Sequence, residues 1–240
     1  MPNSPSPNIA ILVAMEEELA PFLAASTAAI EFPQETGFFN GGAKLYGAEI
    51  GGKIVLLMAT GVGLVNAAVS ATIAITQRKA QLLISAGSAG GIGNDVHVGD
   101  VVVATETCYS SADATAFTNY VLGQIPQMPP RYSAGQLVLA RLDAIELAEG
   151  GMHHGLILSS DAFIWEKNYA DYVGKFPDAL ATDMETAAIG QVAYKFGVPW
   201  VSIRGISDLC GPAGPDDFYT HLDGAANIAA GVVVELVKNL

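Results

Sequence analysis

Basic residues are scarce in this chain: 11 lysines and arginines stand against 24 aspartates and glutamates in 240 residues, a net charge of −13. Binding a nucleic-acid backbone needs a basic face, so nucleic acid is excluded as a partner, and an anionic membrane surface equally. Only four of those cations are arginines (Arg78, Arg131, Arg141 and Arg204), which leaves few places for a phosphate. Cysteine is almost missing. Cys108 and Cys210 lie far apart without CxxC or Cys/His spacing, and read as reduced core residues of a cytoplasmic protein. The four histidines, His97, His153, His154 and His221, form no ligand pattern, and His153-His154 beside Gly150-Gly151 reads as loop. No metal or other cofactor is expected. No apolar run is long enough to span a bilayer, since Asn227 and Glu235 interrupt the one near the C-terminus. Residues 1–8 are polar and proline-punctuated, read as a disordered tail without the marks of a secretory signal.

What the chain does have is apolar material. It is 51% hydrophobic and 15% charged, much of it Ala, Val, Ile and Leu alternating with Gly, which suits helices packed closely on a mostly parallel sheet. Continuous apolar runs at 9–14, 29–32, 43–50, 53–59, 82–85, 101–104, 155–160, 180–183 and 199–206 predict strands. Gly51-Gly52 reads as a hairpin turn and Gly41-Gly42 as a break. Helices are expected at 15–25, 64–78, 133–148, 185–196 and from about 220 onward, with 109–132 as loop. Strands alternating with helices, without a composition break, predict one α/β domain over residues 9–240.

Three carboxylates fall where such a fold forms a ligand crevice. In Met15-Glu-Glu-Glu18, the apolar positions Met15, Leu19, Phe22 and Leu23 share a helix face. Glu18 lies at the edge of that face and is expected to be half-buried. Asp183 reads as an ordinary helix N-terminal acid, whereas Glu185, two residues on, sits at a strand's C-terminal end, where open α/β sheets bind ligands. A carboxylate there can accept both protons of a vicinal diol. Asp208 ends the run Pro199-Trp-Val-Ser-Ile-Arg-Gly-Ile-Ser-Asp208 and follows Ser207. It reads equally as a turn cap or as a general acid held by Ser207 and backbone amides. The Glu185 and Asp208 segments are expected side by side in the sheet. A bare buried carboxylate is too costly to be idle, so three around one cleft point to acid–base chemistry on a neutral or cationic small molecule.

The glycines of Gly61-Val-Gly63 and Gly87-Ser-Ala-Gly-Gly91 match neither a dinucleotide fingerprint nor a P-loop. They read as close backbone approach to a ligand or tight strand–helix packing. Phe163, just past a strand, is a flat ring suited to stacking on a base, and Phe117, Tyr120, Pro126 and Phe218 are further loop aromatics or prolines.

In order and spacing, seven segments together resemble the purine nucleoside phosphorylase/hydrolase superfamily, and within it the bacterial 5′-methylthioadenosine/S-adenosylhomocysteine nucleosidases. They are Ala14-Met-Glu-Glu-Glu18, Ala86-Gly-Ser-Ala-Gly-Gly91, Val98-Gly-Asp-Val-Val102, Asp113-Ala-Thr-Ala-Phe117, Ser160-Asp-Ala-Phe-Ile164, Asp183-Met-Glu185 and Arg204-Gly-Ile-Ser-Asp208. The resemblance implies a three-layer phosphorylase/hydrolase-like fold, a central mixed, twisted sheet flanked by helices. It makes Glu18 the base that activates water at the anomeric carbon. Asp208, supported by Ser207, protonates purine N7. Glu185 holds the ribose hydroxyls with Met184 beneath the sugar, and Phe163 stacks on adenine while the Ile164 backbone reads its edge. Ser88, Ala89 and Gly90 line the sugar and water side, and Arg204 belongs to the binding set. Met15, Phe117, Pro126 and Phe218 wall the 5′-thio pocket, Phe117 and Pro126 reaching over from the partner in a homodimer. No cofactor is implied.

Phosphorylase relatives carry Gly-Asp-Pro-x-Arg after the first strand and another Arg before the Gly-Ser segment. Here those places hold Ala14-Met15-Glu16 and Leu83-Ile84-Ser85, so hydrolysis is expected over phosphorolysis. Asp183, Ser160 and Thr186 depart from the nucleosidase pattern and bear on the 5′ group rather than the reaction. A futalosine-type nucleosidase, a phosphorylase and a non-catalytic nucleoside binder stay open as alternatives.

Overall fold

In the computed structural model, which describes residues 9–32 and 44–240, the apolar runs become strands and the small-residue segments between them become helices. The tail at 1–8 and the Gly41-Gly42 break lie outside the described residues. In chain order the elements are β1 (Ile9–Val13), α1 (Glu16–Ala25), β2 (Ala28–Glu31), β3 (Lys44–Ile50), β4 (Lys53–Ala59), α2 (Leu64–Thr76), β5 (Leu82–Gly91) and β6 (Val101–Tyr109). There follow β7 (Tyr132–Ser133), α3 (Gln136–Leu142), β8 (Met152–Ser159), α4 (Tyr169–Tyr172), β9 (Ala179–Asp183), α5 (Thr186–Phe196), β10 (Trp200–Asp208) and α6 (Gly214–Asn239).

A single mixed sheet runs β10-β6-β8-β9-β5-β1-β4-β3-β2, with β7 on β6, and β10 also pairs β5. Strands β5, β10, β6, β8 and β9 therefore close on themselves. β5 is the hub. Leu82–Ser85 pairs parallel with β1, residues 83–90 pair parallel with β10, and Gly90-Gly91 pairs antiparallel with β9. β1 and β5 are buried along their whole length, which is why they read as unbroken runs of apolar or small residues. One helical layer is α1 packed on α6, with α6 over β5 and β10; the other is α2 packed on α5. The architecture is the three-layer α/β arrangement expected.

Several boundaries differ from expectation for identifiable reasons. The strand read as ending at Ser85 continues to Gly91, because β10 and β9 supply hydrogen-bonding partners along the glycine-rich half. That continuation puts β5 between β9 and β10, so the Glu185 and Asp208 segments are not neighbours in the sheet. His153 and His154 lie in β8, not a loop, paired with Val102 and Val103 of β6, and the His153 ring meets the Asp100 carboxylate at 2.9 Å. The 133–148 helix contracts to α3, since Tyr132–Ser133 pairs with β6 and Ala134 donates to the Thr105 carbonyl. α6 begins at Gly214 rather than near 220. Pro215 sits in its first turn, where a missing N–H costs nothing.

Candidate active site

The carboxyl ends of β1, β5, β9 and β10 and the N-terminal turns of α1 and α5 surround a cavity of about 250 Å³. Each of the three sequence-selected acids lines it, and each is held differently.

Glu18 stands in the first turn of α1, whose N-cap, Met15, has no capping hydroxyl. Its carboxylate reaches back to the N-cap amide, the reciprocal half of a capping box. Oε2 accepts the amides of Ala14 at 2.8 Å and Met15 at 3.2 Å. Oε1 accepts the amide of Ser88 at 2.8 Å and its hydroxyl at 2.9 Å. The side chain is buried at 1% exposure, not half-buried, because β5 passes over it. Gly87 makes this possible: at φ +144° a Cβ there would come within 2.4 Å of Glu18 Oε1.

Asp208 ends β10 just past an irregularity. Ile206 pairs with Ala89 and Asp208 with Gly90, so Ser207 is the extra residue of a bulge that re-aims the following side chain. Ser207 Oγ donates to Asp208 Oδ2 at 3.1 Å and the Cys210 amide to Oδ1 at 2.9 Å. Cys210 takes a left-handed backbone, φ +55°, to deliver that amide. Burial raises the Asp208 carboxyl above the usual range, partly offset by the Cys210 and Ser207 donors. As a turn cap Asp208 serves Cys210 only, since α6 starts six residues later with Ala213 as N-cap.

Glu185 is the N-cap residue of α5, immediately after β9 and Met184. Its Oε1 accepts the Gly63 amide at 2.9 Å, and its Oε2 lies 3.5 Å from Arg204 Nη2. Burial pushes this carboxyl up to about 7 against the pull of Arg204, with neighbouring Asp183 adding to the rise.

Behind Glu185 lies a buried polar network that lines less of the cavity than it supports. Arg204, 1% exposed, pairs with Asp183 at 2.9 Å and donates to Ser85 Oγ at 2.7 Å, Ser202 Oγ at 3.2 Å and the Ser88 carbonyl at 3.3 Å. Asp183 accepts the Ser159 hydroxyl at 2.5 Å, the amides of Glu185 and Thr186 at 3.2 and 3.1 Å, and the Thr186 hydroxyl. Arg204 is thus placed behind the cavity, bonded within this network, and not among the residues that line it.

Met15, Ser88, Ala89, Gly90, Phe163, Ile164, Met184, Ser207 and Phe218 all line the cavity. Phe163 and Phe218 meet edge-to-face with centroids 5.7 Å apart. Phe117 and Pro126 do not line it; Phe117 is 65% exposed and Pro126 is exposed on the 109–132 loop. Sequence reading missed Thr182, Asp183 and Cys210 as lining residues. Asp183 looked like a routine helix-start acid. Thr182 and Cys210 carry no local pattern, and only the β5 pairings bring them to Gly90, where a Cβ would meet Cys210 Sγ at 2.5 Å and Thr182 Cγ2 at 3.6 Å. Val62 also lines the cavity.

A mixed sheet presenting four buried carboxylates, Glu18, Asp183, Glu185 and Asp208, to an apolar slot defines the class of protein, and its family model, the phosphorylase superfamily, matches residues 8–238. The chain belongs to that superfamily and, within it, to the 5′-methylthioadenosine/S-adenosylhomocysteine nucleosidase family. The nucleosidase of that name from Listeria innocua is 37% identical over 238 residues, covering 97% of this chain and 99% of the relative. The solved nucleosidase of Neisseria meningitidis, in complex with methylthio-immucillin-A, matches with a TM-score of 0.89 at 34% identity, covering 97% of this chain and 99% of that one. The futalosine hydrolase of Helicobacter pylori matches with a TM-score of 0.84 at 25% identity, covering 98% and 99%.

Proposed function

We propose that this protein hydrolyses the N-glycosidic bond of 5′-methylthioadenosine, S-adenosylhomocysteine or a related 5′-substituted adenosine, releasing adenine. The observation that carries the reading is the division of labour among the three acids. Glu18 is locked by four donors next to Ser88, Asp208 is raised and held by Ser207 and Cys210, and Glu185 stands apart on Gly63. Cleavage of an N-glycoside passes through a cationic, oxocarbenium-like sugar, which fixed carboxylates stabilise. Positioning water and protonating the leaving base are separate tasks, which need two acids in different surroundings.

In this reading Asp208, raised toward its protonated form, gives its proton to purine N7, and Ser207 holds the resulting carboxylate. Glu18 takes a proton from the water that attacks the anomeric carbon. Glu185 accepts the ribose hydroxyls above Met184. Phe163 and Ile164 hold the base, and Met15 and Phe218 wall the 5′ substituent. The place of Arg204 in its own network argues against phosphate as the nucleophile, because the guanidinium already pairs with Asp183 and Glu185 and donates to two serines.

The protein acts as a homodimer in this proposal, residues 9–240 forming one domain in the cytoplasm. Val62, Val65 and Val69 make an exposed apolar stripe at the cavity rim and along α2, and Phe117 is exposed as well. A second copy covering the stripe would bring the partner's Phe117 and Pro126 to the 5′ pocket. Among the described residues, no helix is long and apolar enough to cross a membrane. The second reading, a futalosine-type substrate, is favoured by the likeness to the Helicobacter enzyme and keeps the same acids with another 5′ group.

Adenine release from methylthioadenosine, with and without phosphate, tests the reading. Equal release in both, with free methylthioribose as co-product, is expected. Strict phosphate dependence overturns hydrolysis, and bound but uncleaved nucleoside overturns the substrate class or turnover itself.

A further inference from the structure

Helix α2 begins without a capping side chain of its own. Its N-cap is Gly63 at φ +106°, so the first amides of a thirteen-residue helix need acceptors from elsewhere. Two carboxylates supply them from distant segments. The Gly63 amide donates to Glu185 Oε1 at 2.9 Å, and the Leu64 amide donates to Asp161 Oδ1 at 2.7 Å. The fit is close: a Cβ on Gly63 would lie 2.9 Å from Asp161 Oδ1. Both acids complement the positive end of the helix.

The two acceptors belong to different segments around the cavity. Asp161 opens the segment that carries Phe163 and Ile164, which also line it. The rest of that segment is tied within itself, Trp165 N donating to Asn168 Oδ1 and Asn168 Nδ2 to the Phe163 carbonyl. At its start the Ser160 amide is anchored on the Asp183 carbonyl. Asp161 makes this segment's side-chain link to α2, and α2 holds Glu185 through the adjacent amide.

We infer that Asp161 is a positioning residue: by capping α2, whose adjacent amide holds Glu185, it sets the spacing between the Phe163–Ile164 segment and Glu185. The inference rests on the reading above, in which that segment holds the base and Glu185 the ribose. A nucleoside must satisfy both subsites at once, whereas free adenine occupies only one. Loosening the link therefore costs the nucleoside more than the base. A cap that merely stabilised α2 would lower the melting temperature without this discrimination.

The test compares Asp161→Ala and Asp161→Asn with wild type, reading KM and kcat for methylthioadenosine and Kd for adenine. Asp161→Ala is expected to raise the nucleoside KM about tenfold, the value of one charge-assisted hydrogen bond, and the adenine Kd less than about threefold. Asp161→Asn keeps an acceptor for the Leu64 amide and restores most of the loss. Equal weakening of nucleoside and base, an unchanged KM, or an Asn variant as impaired as the Ala variant overturns the inference. If wild type binds the nucleoside without cleaving it, the reading of the reaction fails, and the same comparison made with dissociation constants still decides the role of Asp161.

Discussion

Ser88 donates twice to a single oxygen of Glu18, its amide at 2.8 Å and its hydroxyl at 2.9 Å, across 70 residues of chain. With Ala14 and Met15 on the other oxygen, the carboxylate has donors on both sides. Glu18→Gln replaces one of those oxygens with an NH2 group and leaves either the Ser88 pair or the Ala14–Met15 pair facing a donor. We expect kcat to fall about 10²- to 10⁴-fold, the usual range for losing a general base, and stability to fall by about 1–3 kcal/mol. Steady-state kinetics and a denaturant melt check both. Full activity in this variant would remove Glu18 from the mechanism.

Asp208→Asn should separate the acid from the base. The variant is expected to lose about 10²- to 10⁴-fold in adenine release while still binding nucleoside. A riboside with a good leaving group, such as a nitrophenol, needs no protonation on departure. Asp208→Asn should therefore cleave it at near wild-type rate, while Glu18→Gln should not. Equal loss on both substrates would show that Asp208 does something other than protonate the leaving group.

The buried Glu185 carboxyl makes stability depend on pH with a definite sign. Its folded value lies near 7, above the ordinary 4.5. Between those values the folded protein holds a proton that the unfolded chain has released, so stability is fully present below about 4.5 and declines as pH rises through about 7. The slope in that window approaches about 1.4 kcal/mol per pH unit. Thermal melts of ligand-free protein from pH 5 to 8 should show the decline, and Glu185→Gln should flatten it. An unchanged profile in the variant assigns the slope to another group.

Gly205 is where β10 and α6 come into contact: a Cβ there would lie 2.1 Å from the Ala225 carbonyl oxygen. That atom is backbone within α6, so it cannot swing aside. Gly205→Ala should cost at least the upper part of the about 1–3 kcal/mol typical of overpacking, although the residue lines no cavity. Urea unfolding measures it, and a variant of wild-type stability would mean that α6 shifts freely on the sheet.

Much of the site was legible because its residues sit at element ends, where short patterns are informative. Glu18 follows from the apolar face of α1, and Glu185 and Asp208 follow from acids placed after apolar runs. Burial depth was not legible: Glu18 was expected half in water, and only the passage of β5 closes it off. Arg204 entered the binding set through the resemblance, and the structure places it behind the cavity. Its partners Asp183 and Ser85 come from two other strands, β9 and β5, a convergence no local pattern records. Thr182 and Cys210 escaped notice for the same reason.

By itself the sequence determined the periodicities and which acids stand at strand ends. Those properties are encoded within about ten residues, the reach of a helix face or a strand. Only the tertiary structure decided that β5 runs on through its glycines, stands between β9 and β10, and receives Glu18 over Gly87. Such relationships join segments 70 to 118 residues apart, and they are set by sheet order and by where the backbone can approach closely, not by local pattern.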